Sequence, residues 1–197
     1  MANVLHFDED SALSQFLDIF WAKGYKATTT RELASRAGIS ESSLFNCFRS
    51  KREIYIKSLC RYHDMTKSRR NVMENEESAL TGIRKYWEAL AKLVSDPSRS
   101  RGCMITNATV EQTDDPEISA YLKTIHKDYE KAFENTLDRA VRQNELKPDT
   151  DTRALAQFLA SNAQGLRLLS RISPSRTMVH NVVELTMRTL DSYQARD

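Results

Sequence analysis

Between residues 29 and 53 the chain carries two Ser/Thr-x-x-Glu strings with a glycine turn between them, a spacing that leaves room only for short helices. In Thr29-Thr30-Arg31-Glu32 the first hydroxyl is placed to accept the backbone N–H three residues on, and the Glu32 carboxylate to reach back to Thr29. The helix this opens runs to about Ala37, where Gly38 ends it. Ser40 is positioned to cap the next helix, Glu41 to about Phe48, and Ser50-Lys51-Arg52-Glu53 repeats the capping box. That second box opens a helix through Tyr55, Leu59 and Tyr62. Upstream, Leu13, Phe16, Leu17, Phe20 and Trp21 fall at helical spacing between Asp8 and about Lys23, with Gly24 as the stop. Two short helices joined by a tight turn and leaning on a third describe a helix-turn-helix.

The rest of the chain keeps the helical period. Stripes run through Leu80, Ile83, Trp87, Leu90 and Val94 (about Glu76 to Val94), and from Ile118 to Ala140. A shorter helix covers about Cys103 to Glu111, and two more cover about Asp151 to Arg171 and the region after Pro174. Ser95-Asp96-Pro97-Ser98 and Thr113-Asp114-Asp115-Pro116 punctuate them. With only five Gly and four Pro in 197 residues there is little turn chemistry for a many-stranded sheet. The expectation is an all-α chain of about nine helices. Residues 1–52 are expected to form a three-helix domain that carries the helix-turn-helix, and residues 53–197 a larger helical domain.

Charge supports a polyanionic partner. The net charge of +2 conceals twelve Lys or Arg against four acids in residues 21–70, while residues 1–20 carry four acids and no base. No apolar run approaches the roughly 20 residues that span a bilayer, and the first ten residues lack the basic and apolar regions of a signal peptide. Cys47, Cys60 and Cys103 are odd in number and widely spaced, which argues for free thiols in a reducing cytoplasm. No catalytic motif, glycine-rich phosphate loop or metal-ligand spacing is present, and none of His6, His63, His126 and His180 has a Glu three positions upstream. The expectation is therefore no enzyme, no cofactor and no metal.

The string Gly38-Ile39-Ser40-Glu41-Ser42-Ser43-Leu44-Phe45-Asn46-Cys47-Phe48-Arg49-Ser50-Lys51, with the upstream Thr28-Thr29-Thr30-Arg31-Glu32-Leu33-Ala34, resembles the DNA-binding domain of the TetR family of bacterial regulators. The match covers about residues 8–55. Phe45 departs from the family's usual tyrosine, which removes a hydroxyl and leaves the ring a packing or van der Waals role. The resemblance implies DNA contacts from Thr29, Arg31, Ser43, Asn46 and Lys51. Thr30, Ser40, Ser42 and Phe45 complete the candidate DNA surface. Short polar groups such as Ser42, Ser43 and Asn46 suit base edges or phosphates, and Lys51 at a helix N-terminus suits one phosphate. Glu41 on the same helix would repel phosphate or accept from a cytosine amine.

The resemblance also implies a ligand cavity in the middle helices and a four-helix dimer interface in the last two. Candidate cavity residues are Met65, Trp87, Cys103, Met104, Asn107, Tyr121, Tyr129 and Phe133. Candidate interface residues are Leu155, Phe158, Leu159, Asn162, Leu166, Val179, Val182, Val183, Thr186 and Leu190. The expected function is a cytoplasmic, nucleoid-associated homodimeric repressor, released from a palindromic double-stranded operator by a small-molecule effector. One alternative is a redox or electrophile sensor of the same architecture acting through Cys103, with Arg101 and a helix N-terminus beside its thiol. The other is a helical interaction module that no longer binds DNA specifically.

Overall fold

The computed structural model describes residues 8–96, 101–111, 114–172 and 175–195, and among them nine α-helices and no strand longer than an isolated bridge. They are α1 (Glu9–Lys23), α2 (Thr30–Arg36), α3 (Glu41–Cys47), α4 (Lys51–Asn75), α5 (Ala79–Val94), α6 (Met104–Glu111), α7 (Pro116–Arg142), α8 (Thr152–Leu169) and α9 (Arg176–Asp191). His6, Pro97, Ser98, Thr113 and Pro174, which the sequence reading used, lie outside the described residues.

The local chemistry of the helix starts is largely as the residues dictate. Asp8, Thr29, Ser40, Ser50, Ser78, Asp115, Asp151 and Ser175 each cap a helix by accepting from a backbone N–H two or three residues on. The return halves of the two capping boxes differ from expectation. Glu32 turns to Lys23 at 2.5 Å, and Glu53 accepts the N–H of Arg49 rather than that of Ser50. An ion pair and an equally needy N–H one residue away compete for these carboxylates. Helix α5 begins three residues later than the apolar stripe implies, because Glu76 is extended and Ser78 takes the Thr81 N–H. Helix α4, 25 residues long, continues well past Tyr62.

Two apolar cores result. The first joins α1, α2, α3, the N-terminal half of α4, α6 and the first half of α7. Phe16, Phe20, Leu33, Leu44 and Phe48 are all at most 2% exposed, and each contributes about 1.5–3 kcal/mol by leaving water. The second core joins Met73 at the end of α4 to α5, the second half of α7, α8 and α9. A cut at residues 52–53 runs through the first core, since Ile54, Tyr55, Leu59 and Tyr62 belong to it along with Cys103 to Ala108. Helix α1 and the start of α4, which support the helix-turn-helix, thus share a core with α6 and the start of α7. Helix α4 passes through both cores and links them.

Candidate functional site

Helices α2 and α3 are joined by the turn Ala37–Ser40. Gly38 sits at φ +69°, and Ile39 N–H returns to the Ala34 carbonyl at 3.0 Å. Leu33, Ala34 and Leu44 anchor the pair inward, which turns the other face of α3 to solvent. On that face Ser42 and Asn46 are exposed, Ser43 is half-buried, and Phe45 is 44% exposed. Ser40 Oγ lies 2.8 Å from both the Ser42 and the Ser43 hydroxyls while accepting the Ser43 N–H, a hydroxyl cluster on the first turn of α3. Of the two roles expected for Phe45, packing into its own core is excluded by that exposure.

Two other expected contacts, Thr30 and Lys51, are more engaged than the sequence suggested. The Thr30 hydroxyl donates to Glu41 at 2.7 Å, so the carboxylate is tied to α2 and the Thr30 proton is already spent. Lys51 Nζ donates to the Thr28 carbonyl at 2.6 Å and lies 4.3 Å from the Tyr25 ring centroid. Burial holds its ammonium below the ordinary lysine value, although Glu111 opposes the shift. An ammonium has three donors, so Lys51 can staple the start of α4 to the start of α2 and still reach a phosphate. Thr29 and Arg31 are exposed beside it.

Four contacts tie this surface to the body of the protein. Glu111, the last residue of α6, accepts from the backbone N–H groups of Tyr25 (3.0 Å) and Lys26 (2.8 Å). Arg52 in the first turn of α4 bonds Asp115 (2.9 Å) and Glu117 (3.3 Å) at the start of α7. At the other end of α6, Trp21 Nε1 donates to the Gly102 carbonyl at 3.1 Å, and Arg101 pairs with Asp18 at 3.2 Å. Both ends of α6 therefore grip α1 and the turn that follows it. Pairing with Asp18 also engages Arg101, the residue expected to activate Cys103.

A cavity of about 320 Å³ opens between α1, α4, α5, α6, α7 and α8. Its wall comprises Trp21, Tyr62, Thr66, Arg70, Leu93, Val94, Arg101, Gly102, Cys103, Tyr129, Arg167 and Ser170. Of the eight expected cavity residues only Cys103 and Tyr129 line it. Met104 and Asn107 line a smaller cleft of about 240 Å³ against α1. Trp87 and Phe133 are closed inside the second core, and Tyr121 packs at the edge of the first. Met65 is 61% exposed on the outer face of α4, so its thioether lies on the surface instead of in a pocket. The residues missed carry the cavity's charge. Arg167 sits in Leu166-Arg167-Leu168-Leu169, and a charged residue inside an apolar helical run was the available signal.

The last two helices show a similar displacement. Leu155, Leu159, Leu166, Val179, Thr186 and Leu190 are buried within the protomer, Leu155 the most open at 4% exposed, and so cannot reach a second copy. The surface left on α8 runs through Phe158, Ser161, Gly165 and Leu168 to Ile172, one stripe at intervals of three and four. A Cβ added at Gly165 would meet nothing within 4 Å. On α9, Leu185 is 61% exposed between half-buried Val182 and Thr189, while Val183 and Asn162 are half-buried.

Among the described residues no helix is long and apolar enough to cross a membrane, and no cluster of His, Cys, Asp or Glu could hold a metal ion.

Comparison with known proteins agrees with this geometry. Residues 13–57 match the family model "Bacterial regulatory proteins, tetR family", and residues 79–185 match "Tetracyclin repressor-like, C-terminal domain". The uncharacterized HTH-type transcriptional regulator YezE of Bacillus subtilis (strain 168) is 30% identical, covering 94% of this chain and 97% of its own. The HTH-type transcriptional repressor ComR of Escherichia coli (strain K12) is 28% identical over 92% of this chain and 88% of its own. Among solved structures, a cysteine mutant of the TetR family transcriptional regulator CifR, complexed with 26bp double-strand operator DNA, superposes with a TM-score of 0.84. It is 25% identical, covering 95% of this chain and 98% of its own.

Proposed function

Because this chain belongs to the TetR family of bacterial regulators, we propose that it is a homodimeric repressor that leaves a palindromic operator when a small molecule fills the cavity beneath α1. It is a DNA-binding transcriptional regulator of the bacterial cytoplasm and nucleoid, and no step of its action requires catalysis. The observation that carries the reading is the unbroken path of α4. Its N-terminus at Ser50 and Lys51 abuts the helix-turn-helix, and Tyr62, Thr66 and Arg70 farther along it line the cavity. A ligand that displaces those side chains tilts α4, and α6 carries the same displacement to the turn at Tyr25 through Glu111. Two recognition helices must stand one DNA turn apart, roughly 34–36 Å, to enter successive major grooves, so a modest tilt in each protomer breaks the match.

Two copies meet through the α8–α9 face, where Phe158, Gly165, Leu168, Ile172 and Leu185 offer an apolar surface without a partner in the protomer. Footprinting of the purified protein on fragments of its own genome tests the reading. The expected result is one or a few protected palindromes, lost on addition of the effector. Protection without a preferred sequence contradicts it and returns the chain to the class of nonspecific helical modules.

A second reading, release by an oxidant or electrophile, is favoured by one observation: Cys103 is a free thiol in the cavity wall, whereas Cys47 and Cys60 are exposed on the outer surface. If Cys103→Ser responds to such reagents as the unaltered protein does, that reading fails.

A further inference from the structure

Three arginines line the cavity: Arg101 is paired with Asp18, and Arg70 and Arg167 have no carboxylate partner among the described residues. Arg167 is 6% exposed, and its Nη2 donates to the Tyr86 hydroxyl at 2.7 Å. Its Nη1 is buried and has no hydrogen-bond partner. Arg70 is 8% exposed, and its Nη2 donates to His63 Nε2 at 2.7 Å. Both guanidinium groups lie against the Tyr129 ring, Arg70 at 4.8 Å and Arg167 at 5.1 Å from its centroid. Among the described residues neither forms an ion pair with a carboxylate. A guanidinium cannot escape the cost of burial by losing its proton, and a buried charge without an opposite one is strongly unfavourable. Contact with tyrosine faces offsets only part of that cost.

The neighbouring polar groups do not relieve it. The Thr66 hydroxyl donates to the His63 carbonyl at 2.9 Å and the Ser170 hydroxyl to the Arg167 carbonyl at 2.6 Å. Arg167 Nη1 is thus the buried donor of this wall that has no acceptor. The rest of the lining is Arg101, held by Asp18, with Gly102, Cys103 and the apolar or aromatic Trp21, Tyr62, Leu93 and Val94.

We propose that this cavity binds a small organic acid, its carboxylate on Arg167 with Arg70 as the second cation and its apolar body against Trp21, Tyr62, Leu93 and Val94. A planar carboxylate matches the guanidinium fork and supplies the acceptor that Nη1 lacks. The volume of about 320 Å³ lies at the small end of ligand sites, which fits a single ring or a short chain. Its role as effector rests on the repressor reading above; the binding itself does not.

The test uses the full chain without DNA. Thermal shift and calorimetry are run with phenylacetate, 3-phenylpropionate and octanoate, with the primary amide of each, and with inorganic phosphate. The acids are expected to raise Tm and to bind about tenfold or more tighter than their amides, since only the acids bring the charge. Phosphate, lacking the apolar body, is expected to give no shift. Arg167→Met is expected to abolish the preference for acid over amide while the ligand-free Tm stays level or rises, because an unpaired buried charge has gone. If that variant does not fold, Arg70→Met and Arg167→Lys carry the same comparison, each weakening the preference. Failure of every acid to bind, equal binding of acids and amides, or a phosphate shift as large as the acids' overturns the proposal. So does an Arg167→Met protein that is less stable yet keeps its preference, the signature of a purely structural arginine. Operator release is measured afterwards. Acids that bind and leave DNA bound uphold the anion site and overturn the effector reading.

Discussion

The Glu111 carboxylate accepts the backbone N–H of Tyr25 at 3.0 Å, so the last residue of α6 holds the turn that leads into α2. The same carboxylate takes Lys26 N–H at 2.8 Å, and neither amide is capped by another residue of its own turn. Glu111→Ala is expected to cost about 1–3 kcal/mol, the usual penalty when a charged acceptor leaves partly buried donors unmet. It is also expected to blunt effector release more than it weakens DNA binding. Gly24→Ala should reproduce the effect. Gly24 lies at φ +83°, and an added Cβ would come within 2.4 Å of the Glu111 carboxylate. Thermal unfolding of both variants, with operator titrations with and without effector, checks this; unchanged release in both would remove α6 from the signal path.

Lys51 staples the start of α4 to the Thr28 carbonyl, and the second duty we propose for it is a phosphate contact. Lys51→Met is expected to weaken binding to every DNA sequence alike and to lower the salt slope of log Kd by about 1. An unchanged slope would leave only the staple.

Dimerisation is assigned to side chains that the protomer leaves in water. Phe158→Asp with Leu185→Asp should give a monomer in sedimentation with its unfolding transition nearly intact, since both side chains are exposed within the protomer. A dimer that persists contradicts the α8–α9 interface.

One buried and one half-buried imidazole set a pH dependence. Arginine only donates, so His63 Nε2, facing Arg70, must be unprotonated and the ring neutral. The Thr109 proton goes to the Ile105 carbonyl, so His126 Nε2 donates to that hydroxyl. Burial is the larger cause holding both below the ordinary value of 6.5. Arg70 and then Lys67 add to it at His63, against Asp128 and Asp64, and Arg167 adds to it at His126. The unfolded chain therefore binds more protons than the folded one just below pH 6.5. Stability is fully present above that pH and is lost as the pH falls from there toward the lowered folded values. Asp10 and Asp64, held down by Arg61 and Lys67 respectively, act only at lower pH, below about 3.8. Tm measured from pH 8 to pH 5 should fall in the unaltered protein, and fall less in His63→Gln and His126→Gln. An equal fall in all three would contradict the assignment.

The DNA-reading end was legible in the sequence because its determinants are local. Thr29, Ser40 and Ser50 cap the helices they precede, and Gly38 turns between α2 and α3, whatever the rest of the chain does. The cavity was not legible for the opposite reason. Arg70 ends a basic run that reads as a solvated face, and only the packing of α4 against α5 and α7 encloses it. In α8 the strongest apolar stripe, Leu155, Leu159 and Leu166, faces the protomer's own core. Periodicity finds that stripe first and passes over the weaker one through Phe158, Gly165 and Leu168 that a second copy can cover. Likewise Met65 satisfied the composition of a pocket but stands on the wet side of α4.

The central claim is that the exposed face of α3 reads DNA sequence. The most direct measurement is the ratio of Kd for a scrambled duplex to Kd for the footprinted operator, at one salt concentration, for the unaltered protein and for the triple variant Ser42→Ala, Ser43→Ala, Asn46→Ala. Base-edge contacts are worth about 1–3 kcal/mol each, so the ratio should collapse by about a hundredfold or more while binding to the scrambled duplex stays nearly unchanged. A ratio that survives the triple substitution contradicts the assignment of sequence reading to α3.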